Sequence, residues 1–446
     1  GGSGDTVALG SGASQTGFGR TGTVDWQTGS IKTALFTAAN GEGYFCNTSG
    51  GAFTVNLPVG VAGNIVSVVD YTNTFQTYSL TIAPNGSEKI GGVAEDAILS
   101  TEGQSVTFVY VDGTEGWKSV QDSTSNIVGN LFVVATGGCI TTDGNFKIHK
   151  FTGPGTFCVT QIHPSGPNNA SDYVVVAGGG GGGSSWRSAG GGAGGYRESP
   201  GSATCYTASP LGISPATAIT LSVQGYPIAV GAGGAGGGPA LACKGVAGAV
   251  SSFSTIPSAG GGEGGEFNPP SAPDTIGGNG GSGGGGGGGC GPGAGGAGNT
   301  PPVTPSQGFG GGAGCGGGSS SAGGGGGGAS AVGSGTWSPP TANTGGAGTT
   351  TQIPGSPLQL SGGGGGGQYN AAVAPACAPA GGLGGGGAGG HETPGTPTGC
   401  CGTVYKGGTS GSVNTGGGGG GKAGDSTNVA SGAGGSGVVV IRYRYK

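Results

Sequence analysis

From Ile31 onward, apolar and polar residues alternate in short stretches separated by turn residues, the period-two pattern of half-buried strands. Strands are predicted over residues 33–37, 43–46, 52–57, 64–71, 78–82, 106–111 and 117–121, with turns at Pro84-Asn85-Gly86 and Asp112-Gly113. Their spacing predicts an all-β, sandwich-like module over 31–125. Residues 1–30 are polar and glycine-rich and read as a connecting segment, with Trp26 as the first large anchor. A second group of strands is predicted over 131–135, 145–151, 156–161 and 172–177. The last of these, Tyr173 to Ala177, is an unbroken apolar run that leads into six glycines.

There the pattern changes. Glycine runs fill 178–183, 283–289, 323–328, 362–367 and 416–421, and the stretch closes with the apolar GVVVIRYRY of 437–445. Strands are also predicted at 217–223 and 227–230. The expected domain, 126–446, is therefore a β layer over 131–177, 217–230 and 437–445 framing the runs. An extended chain with three residues per turn makes no internal hydrogen bonds, so its N–H and C=O groups radiate outward. Without Cβ, neighbouring runs can approach closely enough to bond to one another and satisfy the backbone. One run could not hold this order in water, because glycine loses the most entropy on ordering; many together can. Gly178, Gly181, Gly286, Gly325, Gly364 and Gly418 are the expected lattice positions. Isolated Ala193, Ala235, Ser282 and Ala388 are expected at solvent-facing edges. Uninterrupted glycine excludes the Gly-X-Y register of collagen.

Composition tests this reading. With 122 Gly and 26 Pro in 446 residues, low-complexity disorder is the competing expectation. Disordered chains combine low hydrophobicity with high net charge, whereas here 33% of residues are hydrophobic and only 7% charged. A balance of 14 basic against 19 acidic residues offers no footprint for nucleic acid or an anionic membrane, and no apolar run could span a bilayer. The start at Gly1 and the lack of Met predict a fragment or processed form. Ten cysteines without a CxxC pair argue against zinc and leave buried thiols and loop-stapling disulfides as alternatives.

No motif points to catalysis, a cofactor or a metal. Gly416 to Lys422 fits the phosphate-loop spacing, but Ala423 stands where magnesium needs a hydroxyl. His391 and Glu392 near Cys400 and Cys401 lack ligand spacing. Glu263 and Glu266 could form a carboxylate pair for glycoside cleavage, yet no charged residue lies between Thr275 and His391, so the pair reads as loop charge. The aromatic residues between runs are the sharper signal, because rigid amphipathic rings are favoured contact groups. Trp186, Tyr196, Phe253, Phe267, Trp337 and Tyr369 are the candidate binding residues.

FKIHKFTGPGTFCVT (146–160), DYVVVAGGGGGG (172–183) and SGVVVIRYRY (436–445), in that order, resemble the glycine-rich domain of bacteriophage tail-fibre proteins. The segment from WQTGSIKTALF to GWKSVQ is similar to modules that precede it in marine-phage fibres. The resemblance implies a polyglycine type II sandwich at a fibre tip, located in the extracellular virion, whose loops bind a host outer-membrane protein or surface glycan. A fibre shaft would be its structural partner, and a homotrimer and a monomeric tip are both open. A structural spacer or filament subunit without receptor binding is the alternative; ice binding would need a flat Ala/Thr face that the bulky insertions interrupt.

Overall fold

The computed structural model describes residues 24–122, 131–164, 166–212, 217–239, 244–267, 275–289, 293–316, 320–335, 343–370, 378–392, 407–424 and 429–446. The architecture is all-β, and the described helix is confined to two 3-10 turns, Gly166–Asn169 and Pro210–Gly212. Among the described residues no helix is long and apolar enough to cross a membrane. The chain divides into two compact units, Gly1–Leu131 and Phe132–Lys446.

In the first unit the strands are β1 Asp25–Trp26, β2 Phe36–Thr37, β3 Glu42–Cys46, β4 Phe53–Asn56, β5 Ile65–Asp70, β6 Leu80–Ala83, β7 Ala97–Leu99, β8 Ser105–Asp112 and β9 Gly116–Asp122. From β1 to β6 successive strands alternate between two sheets, ordered β1-β3-β5-β8-β9 and β2-β4-β6-β7. The pairs β1–β3, β3–β5, β2–β4 and β4–β6 are all parallel. The chain therefore winds as a β-solenoid of stacked coils, and the antiparallel β7, β8 and β9 close the two sheets. The sequence pattern predicted the all-β class but not this winding: alternation places side chains in or out, but is blind to whether the next strand pairs beside or above. Val66, Val68, Leu80, Ile82, Leu99, Phe108 and Trp117 are buried in one core between the sheets. Asp70 holds the following turn by accepting the N–H groups of Thr74, Phe75 and Gly103, each at 3.1 Å.

The second unit is framed by β10 Val134–Thr136, β11 Cys139–Asp143, β12 Phe146–Phe151, β13 Gly155–Gln161 and β14 Ala170–Val176. The C-terminal strand Val438–Arg444 lies between β12 and β14, antiparallel to both. β10 and β13 belong to a second sheet with Gly225–Ala229, Ser251–Phe253 and Ile256–Ser258. Phe157, Tyr173, Val175, Phe253, Val439, Ile441 and Tyr443 share one apolar cluster, while Val174, Val176, Val438 and Val440 pack on the opposite face with Tyr196, Ile353 and Leu360. Burial on both faces is why these two strands read as continuous apolar runs rather than alternating ones.

The glycine runs grow directly out of these ladders. Val176 stands opposite Val438, and in the same register the Gly179 and Gly182 N–H groups donate to Gly435 O (2.9 Å) and Gly432 O (3.0 Å). Val176 also stands opposite Tyr196, and Gly180 and Gly183 donate to Gly192 O (2.9 Å) and Ala189 O (3.0 Å). Gly178 and Gly181 serve a third neighbour, at Ala249 O (3.0 Å) and Val246 O (2.9 Å). Each neighbour thus receives every third N–H. The carbonyls of the same run accept from further passes, at Gly261, Gly234, Gly419, Gly264 and Gly237 in turn. The other expected lattice positions behave alike: Gly286 donates to Gly312, Gly325 to Ser334, Gly364 to Gly191 and Gly418 to Gly362.

Proximity, not backbone conformation, is what selects glycine here. Within the five runs only Gly416, with φ of 70°, lies in the left-handed region. A Cβ added at Gly178, Gly286, Gly325 or Gly418 would sit 2.0 Å from a neighbouring carbonyl oxygen, and at Gly364 2.1 Å. No side chain fits such a gap. Of the residues expected at solvent-facing edges, Ala235 is exposed and Ala388 half-buried, but Ala193 and Ser282 are buried. Both are interior because they bond between passes: Ala193 N–H to Gly327 O, and Ser282 N–H to Ala193 O.

Candidate functional site

β14 leaves its sheet at Ala177, the run ends at Gly183, and the segment Ser184 to Ser188 turns the chain back to Ala189. Trp186 and Arg187 therefore sit at the end of the stack remote from the framing sheets. The turn is fixed by backbone. Gly424 N–H donates to Trp186 O (2.9 Å), Gly288 N–H to Arg187 O (3.0 Å), and Lys422 N–H to Ser188 Oγ (2.8 Å). Phe267 N–H bonds to Ser185 Oγ, which brings the end of another pass alongside. Tyr369 follows the run 362–367 in a short three-stranded sheet, Ser320–Ala322, Gln368–Asn370 and His391–Glu392.

These ends assemble a column. The Trp186 and Phe267 rings stack with centroids 6.4 Å apart and an interplanar angle of 14°. The Arg187 guanidinium lies 5.3 Å from the Phe267 centroid and 5.0 Å from that of Tyr369. Stacked rings and a cation held over ring faces make a stiff, amphipathic surface with little entropy left to lose on binding. Trp186 is the exposed member, at 37%. In the strand paired with that of Tyr369, His391 is buried, and desolvation pulls its pKa below the ordinary imidazole value, partly opposed by the Glu392 carboxylate.

Trp186, Phe267 and Tyr369 thus come together, whereas Tyr196 and Phe253 do not. Tyr196 is buried in the strand Tyr196–Glu198, and Phe253 in Ser251–Phe253; both rings fill the cores of the framing sheets. Their expected place on a binding surface is corrected: each short strand adds to an existing sheet, which turns its ring inward. Trp337 lies outside the described residues. Arg187, which sequence reasoning passed over, is central to the column. The signal available was a lone cation beside a tryptophan in a stretch nearly free of charge.

Buried charge elsewhere in the unit pins structure. Asp172 accepts Ser199 Oγ (2.8 Å), Thr204 N (2.8 Å) and Thr204 Oγ1 (2.7 Å). Glu198 accepts the hydroxyls of Tyr196 (2.9 Å), Tyr206 (3.2 Å), Ser209 (2.5 Å) and Thr351 (2.5 Å), tying strand Tyr196–Glu198 to Thr349–Thr351. Burial raises the Glu198 pKa, and the hydroxyl donors oppose that rise. Glu266 is buried and Glu263 half-buried, its carboxylate packed where a Cβ on Gly278 would fall. In Gly416 to Lys422 the N–H groups of Gly418 to Gly421 are spent on neighbouring passes, at Gly362, Gly180, Thr409 and Gly365. Cys46, Cys139, Cys158, Cys205 and Cys315 are free thiols, and the other five cysteines, Cys400 and Cys401 among them, lie outside the described residues.

A sequence model of a glycine-rich domain matches residues 152–444. No curated protein matches the chain.

Proposed function

The chain belongs to the glycine-rich domain family, and from that premise we propose that its second unit is a receptor-binding tip, of the kind carried by phage tail fibres, built on a lattice of polyglycine II helices. The three-residue periodicity of the hydrogen bonds supports the lattice, since a three-fold extended helix presents successive N–H groups to three neighbours in turn. The observation that carries the adhesive role is the column Trp186, Phe267, Arg187 and Tyr369 at one end of the stack. A scaffold with a backbone interior leaves its turns as the place where side-chain chemistry can vary without disturbing the core. The partner is a host outer-membrane protein or surface glycan, reached from an extracellular virion through a fibre shaft.

The test is competition. Purified chain should block adsorption of the parent phage to its host cells, and Trp186→Ala with Phe267→Ala should abolish that block while leaving the circular dichroism spectrum unchanged. If the folded double variant competes as well as the parent, the second unit is a structural spacer instead.

A further inference from the structure

The five-stranded sheet of the first unit carries, on the face turned away from its apolar core, a row that the adhesive reading does not use, exposed at its Trp26 and Gln121 ends and buried between them. Across one sheet, Trp26 of β1 stands beside Gly43 of β3, Gly43 beside Ser67 of β5, Ser67 beside Thr107 of β8, and Thr107 beside Gln121 of β9. The Trp26 indole covers Gly43, where a Cβ would come within 2.7 Å of the ring. Ser67 and Thr107, both buried, bond hydroxyl to hydroxyl at 2.7 Å in the middle of the row. A cleft of about 420 Å³ adjoins the row at Trp26, Thr107 and Gln121, and is lined also by Val68, Ser105, Val106 and Asp122. That volume lies within the range of about 300–1,000 Å³ typical of small-ligand clefts. From Trp26 the aromatic surface continues to Phe45 (centroids 5.2 Å apart) and on to Tyr71 (6.2 Å). Trp26 and Tyr71 are 40% and 53% exposed.

We infer that this cleft and its aromatic rim bind an uncharged oligosaccharide. A pyranose ring has an apolar face of C–H groups and an edge of hydroxyls, so it needs an aromatic surface flanked by small hydroxyl, amide and carboxylate groups. Trp26, Phe45 and Tyr71 supply the first; the exposed Gln121 amide supplies the second, in a cleft otherwise lined by Ser105, Thr107 and Asp122. Among the described residues the lining holds one carboxylate and no cation, which disfavours sulfated, phosphorylated or sialylated chains. The rings are inclined to one another by 44° and 79°, so the rim follows a twisted glycan rather than a flat crystalline surface.

The experiment titrates cellohexaose, maltohexaose and chitohexaose, with a heparin hexasaccharide for comparison, into the full chain, read by saturation-transfer NMR. At least one neutral probe should bind saturably, and Trp26→Ala should weaken it about tenfold or more. Gln121→Ala, an exposed change that leaves the core intact, should weaken it to a lesser degree. Trp186→Ala should bind as the parent does, which separates this site from the proposed receptor surface whatever the fate of that proposal. Absence of saturable binding by all three neutral probes, preference for the heparin probe, or unchanged affinity in both Trp26→Ala and Gln121→Ala would overturn the assignment.

Discussion

The β-solenoid of the first unit and the glycine stack of the second bury their backbones in opposite ways. In the solenoid, N–H and C=O groups are paired within two sheets, and stability comes from side chains such as Leu80, Phe108 and Trp117 meeting between them. In the stack the passes themselves are the interior. Gly178 to Gly183 donate to three neighbours and accept from others at hydrogen-bonding distance, and there is no room for a methyl group between them. The solenoid is bound mainly by apolar burial, which tolerates local repacking. The stack is bound by close backbone contact, which does not.

Changing one residue at the right place should break this contrast. Gly364→Val puts a branched side chain 2.1 Å from Gly419 O, and rigid neighbours on several sides cannot all yield. Overpacking in ordinary cores costs about 1–3 kcal/mol. Here the whole second unit should lose its cooperative transition, while the first unit still melts as in the parent. Calorimetry resolves the two, and a parental second transition would contradict the close packing. Ala235→Ser, at an exposed position, should by contrast leave both transitions in place.

The converse change is next in size. Leu80→Ala removes a fully buried side chain from the solenoid core and should cost about 2–5 kcal/mol, read as a fall in the first unit's denaturation midpoint only. A shift of the second unit's midpoint would mean that the units do not unfold separately.

A smaller effect belongs to the framing sheets. His149 is buried, with Nδ1 donating to Gly137 O (2.6 Å) and Nε2 accepting from Tyr443 OH (3.1 Å). Burial lowers its pKa, the Gly137 bond opposing and Lys147 adding to the shift. The unfolded chain therefore binds a proton more readily, so the second unit should lose stability as pH falls below about 6.5. Glu198, whose pKa burial raises, acts in the opposite sense: its protonation favours the fold once pH falls through that raised value. His149→Phe should flatten the loss below pH 6.5, as measured by urea midpoints against pH; an unchanged slope would assign the loss elsewhere. Smallest is Trp186→Ala, which removes one stacked, partly exposed ring and should lower the second unit's stability by about 0.5–1.5 kcal/mol.

The two units were also unequally legible in sequence. Each glycine run could be read as a close-packed pass, because six residues without Cβ have little other reason to occur in a chain so poor in charge. The solenoid was hidden, since its alternating pattern is shared with a sandwich and its coils differ in length: β3 is reached from Asp25 at Glu42, but β5 from Glu42 only at Val66. Partners of the runs could not be read either. Which pass lies beside Gly178 depends on register inherited from ladders such as Val176 against Val438, set by residues far apart in the chain. At the candidate site, Trp186 was legible as an exposed ring, while Tyr196 and Phe253 were not distinguishable from loop residues until their three-residue strands placed them in cores.

Amide hydrogen exchange across Ala170 to Gly183 tests the central claim most directly, because the strand and the run are one continuous segment. If the run is bonded through every third N–H to each of three neighbours, then all six amides from Gly178 to Gly183 should be as protected as those of Val174 to Val176. Protection that stops at Ala177, with the glycine amides exchanging at the rate of an unstructured peptide, would contradict the account.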